Sequence, residues 1–272
     1  MVRICRFSRA IFLVALLFEC HLTGVAQVEP ATRSEASTIV RDPRAIALIQ
    51  SALAAAGIKD TDSISDFVVG GAVTLWDGQE ISAPLTYKGI GDDHRSLEVK
   101  APGSEARNFV VQADRGSATS GDGSLRSIPS EIAIEGANYF FIPLLTHALV
   151  DLGIEIRYLT NPYLSNGLEE ISVTRRLPTW RPELGKLASV THYIYFDQND
   201  HLVTRIVSGT PLPSDLNKTI PHVLVFSDYR PEHGWLIPHH VDEAYVGKVR
   251  NRINLTTFQF NSGLTSSDFS LR

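Results

Sequence analysis

The chain has 272 residues, of which 43% are hydrophobic and 20% are charged, so its composition is that of a globular protein and not of a disordered one. Its formal net charge of −5 at pH 7 leaves no basic surplus of the kind that nucleic-acid binding requires, and we expect no nucleic-acid partner. The length suffices for one all-β domain with an ordinary hydrophobic core.

The N-terminal segment predicts export. It has arginines at 3, 6 and 9, an apolar run from Ala10 to Phe18, and small residues, Gly24 and Ala26, just before Gln27. This order is typical of a secretory signal peptide, here 1–26, and the apolar run is shorter than the about 20 residues that a spanning helix needs. Cleavage after Ala26 would remove both cysteines of the chain. We therefore expect a periplasmic or secreted protein without disulfides.

A lipid anchor is the alternative for the same segment. Cys20 follows the apolar run, where an acylated cysteine would stand, but Glu19 occupies the position at which a small residue is expected. Beyond the predicted cleavage point, 27–40 is polar, without apolar periodicity, and is predicted to be a flexible lead. The remainder, 41–272, is predicted to form a single β domain.

The first ordered element is predicted to be a helix from Pro43 to Ala56. Asp42 is a capping residue, proline suits the first helical position, and Gly57 would end the helix. The residues that share one face at helical spacing are Ala45, Ile46, Ile49, Ala52, Leu53 and Ala56. A helix of this length is marginal alone, so we expect this face to pack on the rest of the protein.

Strands are predicted to follow in a meander at 67–76, 82–90, 95–100 and 107–113. The pair Gly70-Gly71 predicts a bulge or bend in the first strand, and Asp77-Gly78 predicts a hairpin turn. The segment 116–127 is rich in glycine and serine and is predicted to be an exposed loop.

A second helix is predicted to begin at Pro143 and to end at Gly153. Its apolar face would carry Leu144, Leu145, Ala148, Leu149 and Leu152, and the aromatic residues 139–141 precede it. Two interpretations stay open here: the helix fills the core, or it lines or plugs an apolar pocket.

The strands are predicted to resume at 155–159 and 168–175, followed by a proline-containing connection at 178–187 and a hairpin over 190–209. The run 223–261 alternates like three consecutive antiparallel strands. On the last of them, Phe258 and Phe260 are predicted to share a face with Asn254 and Thr256.

This C-terminal part resembles the closing strands of the bacterial lipoprotein-carrier superfamily, which includes the periplasmic lipoprotein localisation factors and the outer-membrane lipoprotein-sorting proteins. The residues that carry the resemblance, mainly within 190–270, are Asp197, Asp228-Tyr229-Arg230, Gly234, Ile237-Pro238, Asn261-x-x-Leu264 and Phe269. The resemblance implies a mainly β (α+β) fold: a curved antiparallel sheet or half-barrel, with helices covering the concave face and an apolar cavity for acyl chains.

The function that this resemblance implies is non-catalytic binding or transport of a lipid, an acyl chain or a lipoprotein in the cell envelope, with contacts to membrane-associated envelope proteins. Concave binding sites are lined chiefly by apolar and aromatic groups. The candidate ligand-binding residues are therefore Trp76, Phe140, Phe141, Leu145, Leu149 and Trp235. Two alternatives remain, a protein-binding or envelope-sensing module on the same scaffold and a secreted hydrolase without a recognisable motif.

The sequence gives no support to a cofactor, a metal site or a catalytic centre. His239 and His240 are adjacent on a predicted strand and would point to opposite faces, so they cannot chelate one ion together. No nucleophile elbow of the form G-x-S-x-G is present. The carboxylates at 228, 232, 242 and 243 are predicted at outward or edge positions. The histidines at 192, 201, 222 and 233 are predicted at surface or turn positions, and Arg230 is predicted to pair with a nearby carboxylate.

Overall fold

The computed structural model describes residues 39–60, 64–76, 80–113, 115–128, 132–133, 138–161, 167–176, 189–212 and 215–271. The predicted signal peptide, nearly all of the predicted lead, the Asp77-Gly78 turn and the connection at 178–187 lie outside these residues. Within them, no helix has the length and apolar character needed to cross a membrane.

In the described part of the chain, thirteen antiparallel strands form one sheet, and two α-helices pack on it. The strands are β1 (Asp66–Trp76), β2 (Glu80–Ile90), β3 (His94–Val99), β4 (Arg107–Gln112), β5 (Arg115–Thr119), β6 (Leu125–Ile128), β7 (Glu155–Leu159), β8 (Leu168–Arg176), β9 (Ser189–Asp197), β10 (Val203–Leu212), β11 (Asp215–Glu232), β12 (Trp235–Tyr245) and β13 (Lys248–Phe260). The helices are α1 (Pro43–Ala55), α2 (Ile142–Val150) and a 3-10 turn, η1 (Ser266–Phe269).

The strand order is β6-β5-β4-β3-β2-β1-β13-β12-β11-β10-β9-β8-β7. Strands β1 and β13 pair in the middle, which joins two meanders, and among the described residues the edge strands β6 and β7 do not pair with each other. The sheet is therefore an open half-barrel, and the predicted mainly β fold class is confirmed.

Helix α1 forms where the sequence predicts it. The Asp42 carboxylate accepts a hydrogen bond from the N–H of Arg44 at 2.8 Å. Gly57 follows the end of the helix in the left-handed conformation, with a φ of +81°. Its buried residues are Ala45, Leu48, Ile49, Ala52 and Leu53, and through them it packs on α2 and β7. Burying each large aliphatic side chain contributes about 1.5–3 kcal/mol, which compensates for the marginal stability of so short a helix.

Both helices lie on the same face of the sheet, called the inner face from here on. The chain leaves the edge strand β6, crosses the inner face at 138–150 and enters the opposite edge strand β7. On the way, the ring of Phe140 packs on Phe67 at 4.8 Å and the ring of Phe141 packs on Phe226 at 4.9 Å. The crossing segment and the inner face thus share one apolar core.

A β-bulge lies at the centre of the sheet, at the pair Gly70-Gly71 where the sequence predicts a bulge or bend. Gly70 is opposite Thr257 and Gly71 is opposite Leu255, so Thr256 is an extra residue on β13. The extra residue reverses the alternation of β13 beyond it. The prediction that Phe258 and Phe260 share a face with Asn254 and Thr256 is therefore wrong, since Phe258 is buried on the inner face.

We expect Gly71→Ala to lower the free energy of unfolding by about 2 kcal/mol, because overpacking of a rigid site costs about 1–3 kcal/mol. A Cβ at Gly71 would lie 2.1 Å from the backbone oxygen of Asn254. Urea unfolding measures the loss. Gly103→Ala is the control, because a Cβ there meets nothing within 4 Å and only the φ of +73° opposes it. Equal losses would contradict the steric explanation.

Two predictions about local structure are wrong. The predicted loop 116–127 contains most of β5 and β6, and its small residues 116–118 are buried: a Cβ at Gly116 would lie 3.2 Å from the Cβ atoms of Ala133 and Ile128. Helix α2 ends at Val150, short of the predicted Gly153, because the Asp151 carboxylate accepts the N–H of Gly153 at 2.7 Å and turns the chain outward. Leu152 is consequently 73% exposed instead of lying on the buried face.

Candidate ligand-binding site

The predicted site residues lie at different depths of the core. Phe140, Phe141 and Leu145 are buried in the apolar cluster between the inner face and α2, whereas Leu149 and Trp235 are half-buried against it. Trp76 is the last residue of β1, and its side chain lies outside the described part of the structure.

The structure brings some of these residues together through an aromatic ring that was not predicted. The Phe260 ring lies 5.7 Å from Phe140 and 4.7 Å from Trp235, so it joins these two predicted residues. Phe141 instead contacts Phe226 on β11. The aromatic residues 140 and 141 therefore attach the crossing segment to two separate parts of the inner face.

The C-terminal end of α2 is held by one arginine. Arg41 donates from Nη1 to the carbonyl oxygens of Asp151 (2.8 Å) and Ile154 (3.1 Å), and from Nη2 to those of Ala148 (3.1 Å) and Leu149 (2.8 Å). The last carbonyl groups of a helix have no partners within the helix and carry partial negative charge, so a cation that binds them is favourable.

The segment before α2 is held by hydrogen bonds to both halves of the sheet. Arg95 on β3 donates to the Asn138 side-chain oxygen at 3.1 Å, while Tyr139 donates its hydroxyl proton to Glu243 on β12 at 3.0 Å. The helix that covers the inner face is thus anchored by polar groups at both ends, and its middle makes apolar contacts.

Glu243 is the centre of a buried group of side chains, called the polar band. Its carboxylate accepts from His222 Nε2 at 2.9 Å, from the Tyr245 hydroxyl at 3.1 Å and from the Asn251 amide. Ser208 completes the band, with its Oγ 3.4 Å from His222 Nδ1. Ser208, His222 and Tyr245 are cross-strand neighbours on β10, β11 and β12.

The charge of Glu243 is stabilised by these partners. Burial by itself raises the pKa of a carboxyl group, but the hydrogen bond and charge of His222, with the hydrogen bonds from Asn251 and Tyr139, outweigh it and hold the pKa of Glu243 below its usual value of 4.5. Glu243 is therefore ionised at neutral pH although it is only 3% exposed.

The polar band overturns several sequence predictions. Glu243, predicted to face outward, lies on the inner face, and His192 and His222 are buried instead of lying at the surface. Strand alternation could have placed the band, because residues 222, 224 and 226 and residues 241 and 243 lie on the same sides of their strands. Two predictions are confirmed. Arg230 pairs with Asp228, and the side chains of His239 and His240 lie on opposite faces of β12, the first against Phe258 and the second against Asn254.

Ser208, His222 and Glu243 stand in the order of a Ser-His-acid triad, but Ser208 is only 6% exposed and its distance to His222 exceeds the about 2.6–3.2 Å of an activated nucleophile. Among the described residues, no group of three or more metal-binding side chains is assembled. Two surface hollows, of about 270 and 260 Å³, lie between Ser117 and the C-terminal residues 267–271. Neither includes any of the predicted site residues.

An open antiparallel half-barrel with helices on its inner face is the fold of the lipoprotein-carrier superfamily, which confirms the resemblance seen in the sequence at the level of fold. A LolA superfamily protein of Nitrosomonas europaea is similar with a TM-score of 0.52 and 10% identity, over 84% of this chain and 97% of that one. A domain of Vibrio parahaemolyticus described as an outer membrane lipoprotein-sorting protein gives 0.50 and 12%, over 83% and 96%. A DUF1329 family protein of Desulfovibrio piger gives 0.51 and 12%, over 85% and 98%. No family model and no curated protein sequence matches the chain.

Proposed function

We propose that this protein binds the acyl chain of a lipid or lipoprotein, without catalysis, between the inner face of the sheet and α2. The observation that carries the proposal is that α2 covers a continuous apolar surface while polar groups hold its two ends. Displacement of α2 would expose the apolar side of the helix and the apolar inner face of the sheet. An acyl chain that entered between them would bury this surface again. The candidate residues for this contact are Trp76, Phe140, Phe141, Leu145, Leu149 and Trp235.

The proposed place of action is the cell envelope, after removal of 1–26. The structures of similar fold support this location, because one is described as an outer membrane lipoprotein-sorting domain. N-terminal sequencing of the exported protein tests the processing, with a start at Gln27 expected. A start at an acylated Cys20 would instead make the protein membrane-anchored. The lipid would be delivered by, or passed to, a membrane-associated envelope protein.

The test of binding is titration with a fluorescent fatty acid. We expect saturable binding by the wild type, and at least about tenfold weaker binding by Leu149→Trp, because the added bulk takes up the space of the acyl chain. Leu149 is only half-buried, so this variant retains its fold better than the corresponding change at the fully buried Leu145. Urea unfolding of each variant gives its folded fraction.

Val225→Trp is the matched control, since Val225 is 41% exposed and lies on the outer face next to the buried Leu224. It should bind the fatty acid as the wild type does. Absence of saturable binding by the folded wild type, or equal weakening in both variants, would refute the proposed site. Binding of a protein ligand without any lipid would favour the sensing module.

A further inference from the structure

The turn between β12 and β13 contains an unfavourable residue. Val246 has a φ of +50°, in the left-handed region where a β-branched residue is an outlier, and the following Gly247 has a φ of +73°. Two-residue turns of this geometry normally carry asparagine, aspartate or glycine at the first position. Val246 is 64% exposed, so packing within the chain does not compensate for its backbone conformation.

Val246 lies at the end of an apolar row on the outer face of the sheet. The register of β9 to β13 places five uncharged residues side by side, here called the outer row: Tyr193, Val207, Val223, Ala244 and Val249. At about 4.8 Å per strand the row is about 19 Å long. Its two end members, Tyr193 and Val249, are 39% and 40% exposed.

Two cations flank Val249 along β13: Lys248 lies opposite Tyr245, and Arg250 is the extra residue of the bulge opposite Glu243 and Ala244. Lys248 and Arg250 are both exposed, and within the described part of the chain neither forms an ion pair. The protein as a whole carries a net charge of −5, so this end of the sheet differs in sign from the average surface. Apolar side chains beside unpaired cations match the interfacial zone of an anionic bilayer, where the former enter the acyl region and the latter meet the headgroups.

We propose that the β12–β13 turn and the adjoining outer row dock this protein onto an anionic lipid bilayer. A second copy of the chain fits the surface less well, because a symmetric contact would place Lys248 and Arg250 near the same cations of the partner. The docking does not depend on the proposed acyl-chain site, which lies on the opposite face of the sheet.

Co-sedimentation with vesicles tests the proposal on protein processed by an exporting host, so that all variants share one N-terminus. The wild type should bind vesicles that contain phosphatidylglycerol and should bind phosphatidylcholine vesicles far more weakly. Replacing both cations, by Lys248→Gln with Arg250→Gln, should weaken binding about 25-fold, since each surface cation contributes about fivefold. Raising the salt concentration should weaken it further.

Val246→Asn separates a docking role from a structural one. Asparagine tolerates the left-handed conformation, so this variant should raise the urea midpoint, yet it should weaken vesicle binding because it removes an exposed apolar group. Leu125→Asp is the control, because Leu125 is 50% exposed on the distant edge strand β6 and its loss should not alter binding. Wild-type binding in Val246→Asn, or equal binding to neutral vesicles, would overturn the proposal. A concentration-dependent dimer removed by Val249→Asp would overturn it in favour of self-association.

Discussion

Glu243→Ala is expected to lower the free energy of unfolding by about 3–5 kcal/mol, the usual cost of removing one partner of a buried ionic cluster. The substitution removes an acceptor that four donors share, on Tyr139, His222, Tyr245 and Asn251, and the bonds from Tyr139 and His222 are buried. It also releases Tyr139, through which the crossing segment is attached to β12. Urea unfolding at neutral pH measures the loss.

Asp242→Ala is the matched control, because Asp242 is the preceding residue on β12 and lies on the outer face. Its partners are the exposed Arg252 and the half-buried His240, and exposed pairs of this kind contribute about 0–1 kcal/mol. The two substitutions remove neighbouring carboxylates of opposite orientation, so only their environment differs. Similar losses for both would contradict the inward position of Glu243.

The Glu243 carboxylate makes the stability of the fold depend on pH in a defined direction. The pKa of Glu243 is lower in the folded protein than its usual value of 4.5, so the unfolded chain binds the proton more tightly. Its contribution to stability is therefore complete above about pH 5 and is lost as the pH falls through the folded pKa. We expect wild-type stability to fall more steeply than that of Glu243→Gln below that pH. Parallel pH profiles would exclude this group as the cause.

The regular elements were predictable because their signals are local. Alternation along 223–261 gave three strands, and the cap at Asp42 with Pro43 and Gly57 gave α1 nearly to the residue. Strands β5 and β6 were missed because glycine and serine usually indicate loops, whereas here small residues are needed where Gly116 packs against Ile128. Local composition does not report that close approach, which involves residues from other elements.

The polar contacts of the site were missed for two different reasons. The inward position of Glu243 follows from alternation with Val241, but a pair of adjacent carboxylates at 242 and 243 suggests an outward, solvated stretch when the strand is read alone. The position of Arg41 could not have been inferred at all, because its acceptors are more than 100 residues away in the chain. Capping by a distant side chain leaves no mark on sequence periodicity.

These contacts determine how the covering helix could move. An acyl chain could replace the apolar middle of α2, since it would make contacts of the same kind with the inner face. The polar ends are not, because their hydrogen bonds must break before the helix can leave. Under the proposed function, ligand entry should therefore be controlled by Arg41 at one end of α2 and by Tyr139 near the other.

Arg41→Ala is expected to lower the free energy of unfolding by about 3 kcal/mol and to loosen the C-terminal end of α2. A hydrogen bond from a charged donor contributes about 1.5–3 kcal/mol, and we expect a loss equal to one or two such bonds because water can replace part of the contacts of the half-buried Arg41. Hydrogen exchange should quicken in 148–154, since the carbonyl groups at the end of the helix lose their ligand. Arg44→Ala is the control: Arg44 lies on α1, and its side chain is 64% exposed beside Glu169. It should change stability by less than about 1 kcal/mol and leave exchange in α2 unaltered.

If fatty-acid dissociation is controlled by α2, Arg41→Ala should speed it at least about tenfold in stopped-flow measurements, because the barrier to opening loses more than about 1.4 kcal/mol. Faster hydrogen exchange without faster dissociation would show that ligand leaves by a route that does not involve this end of the helix.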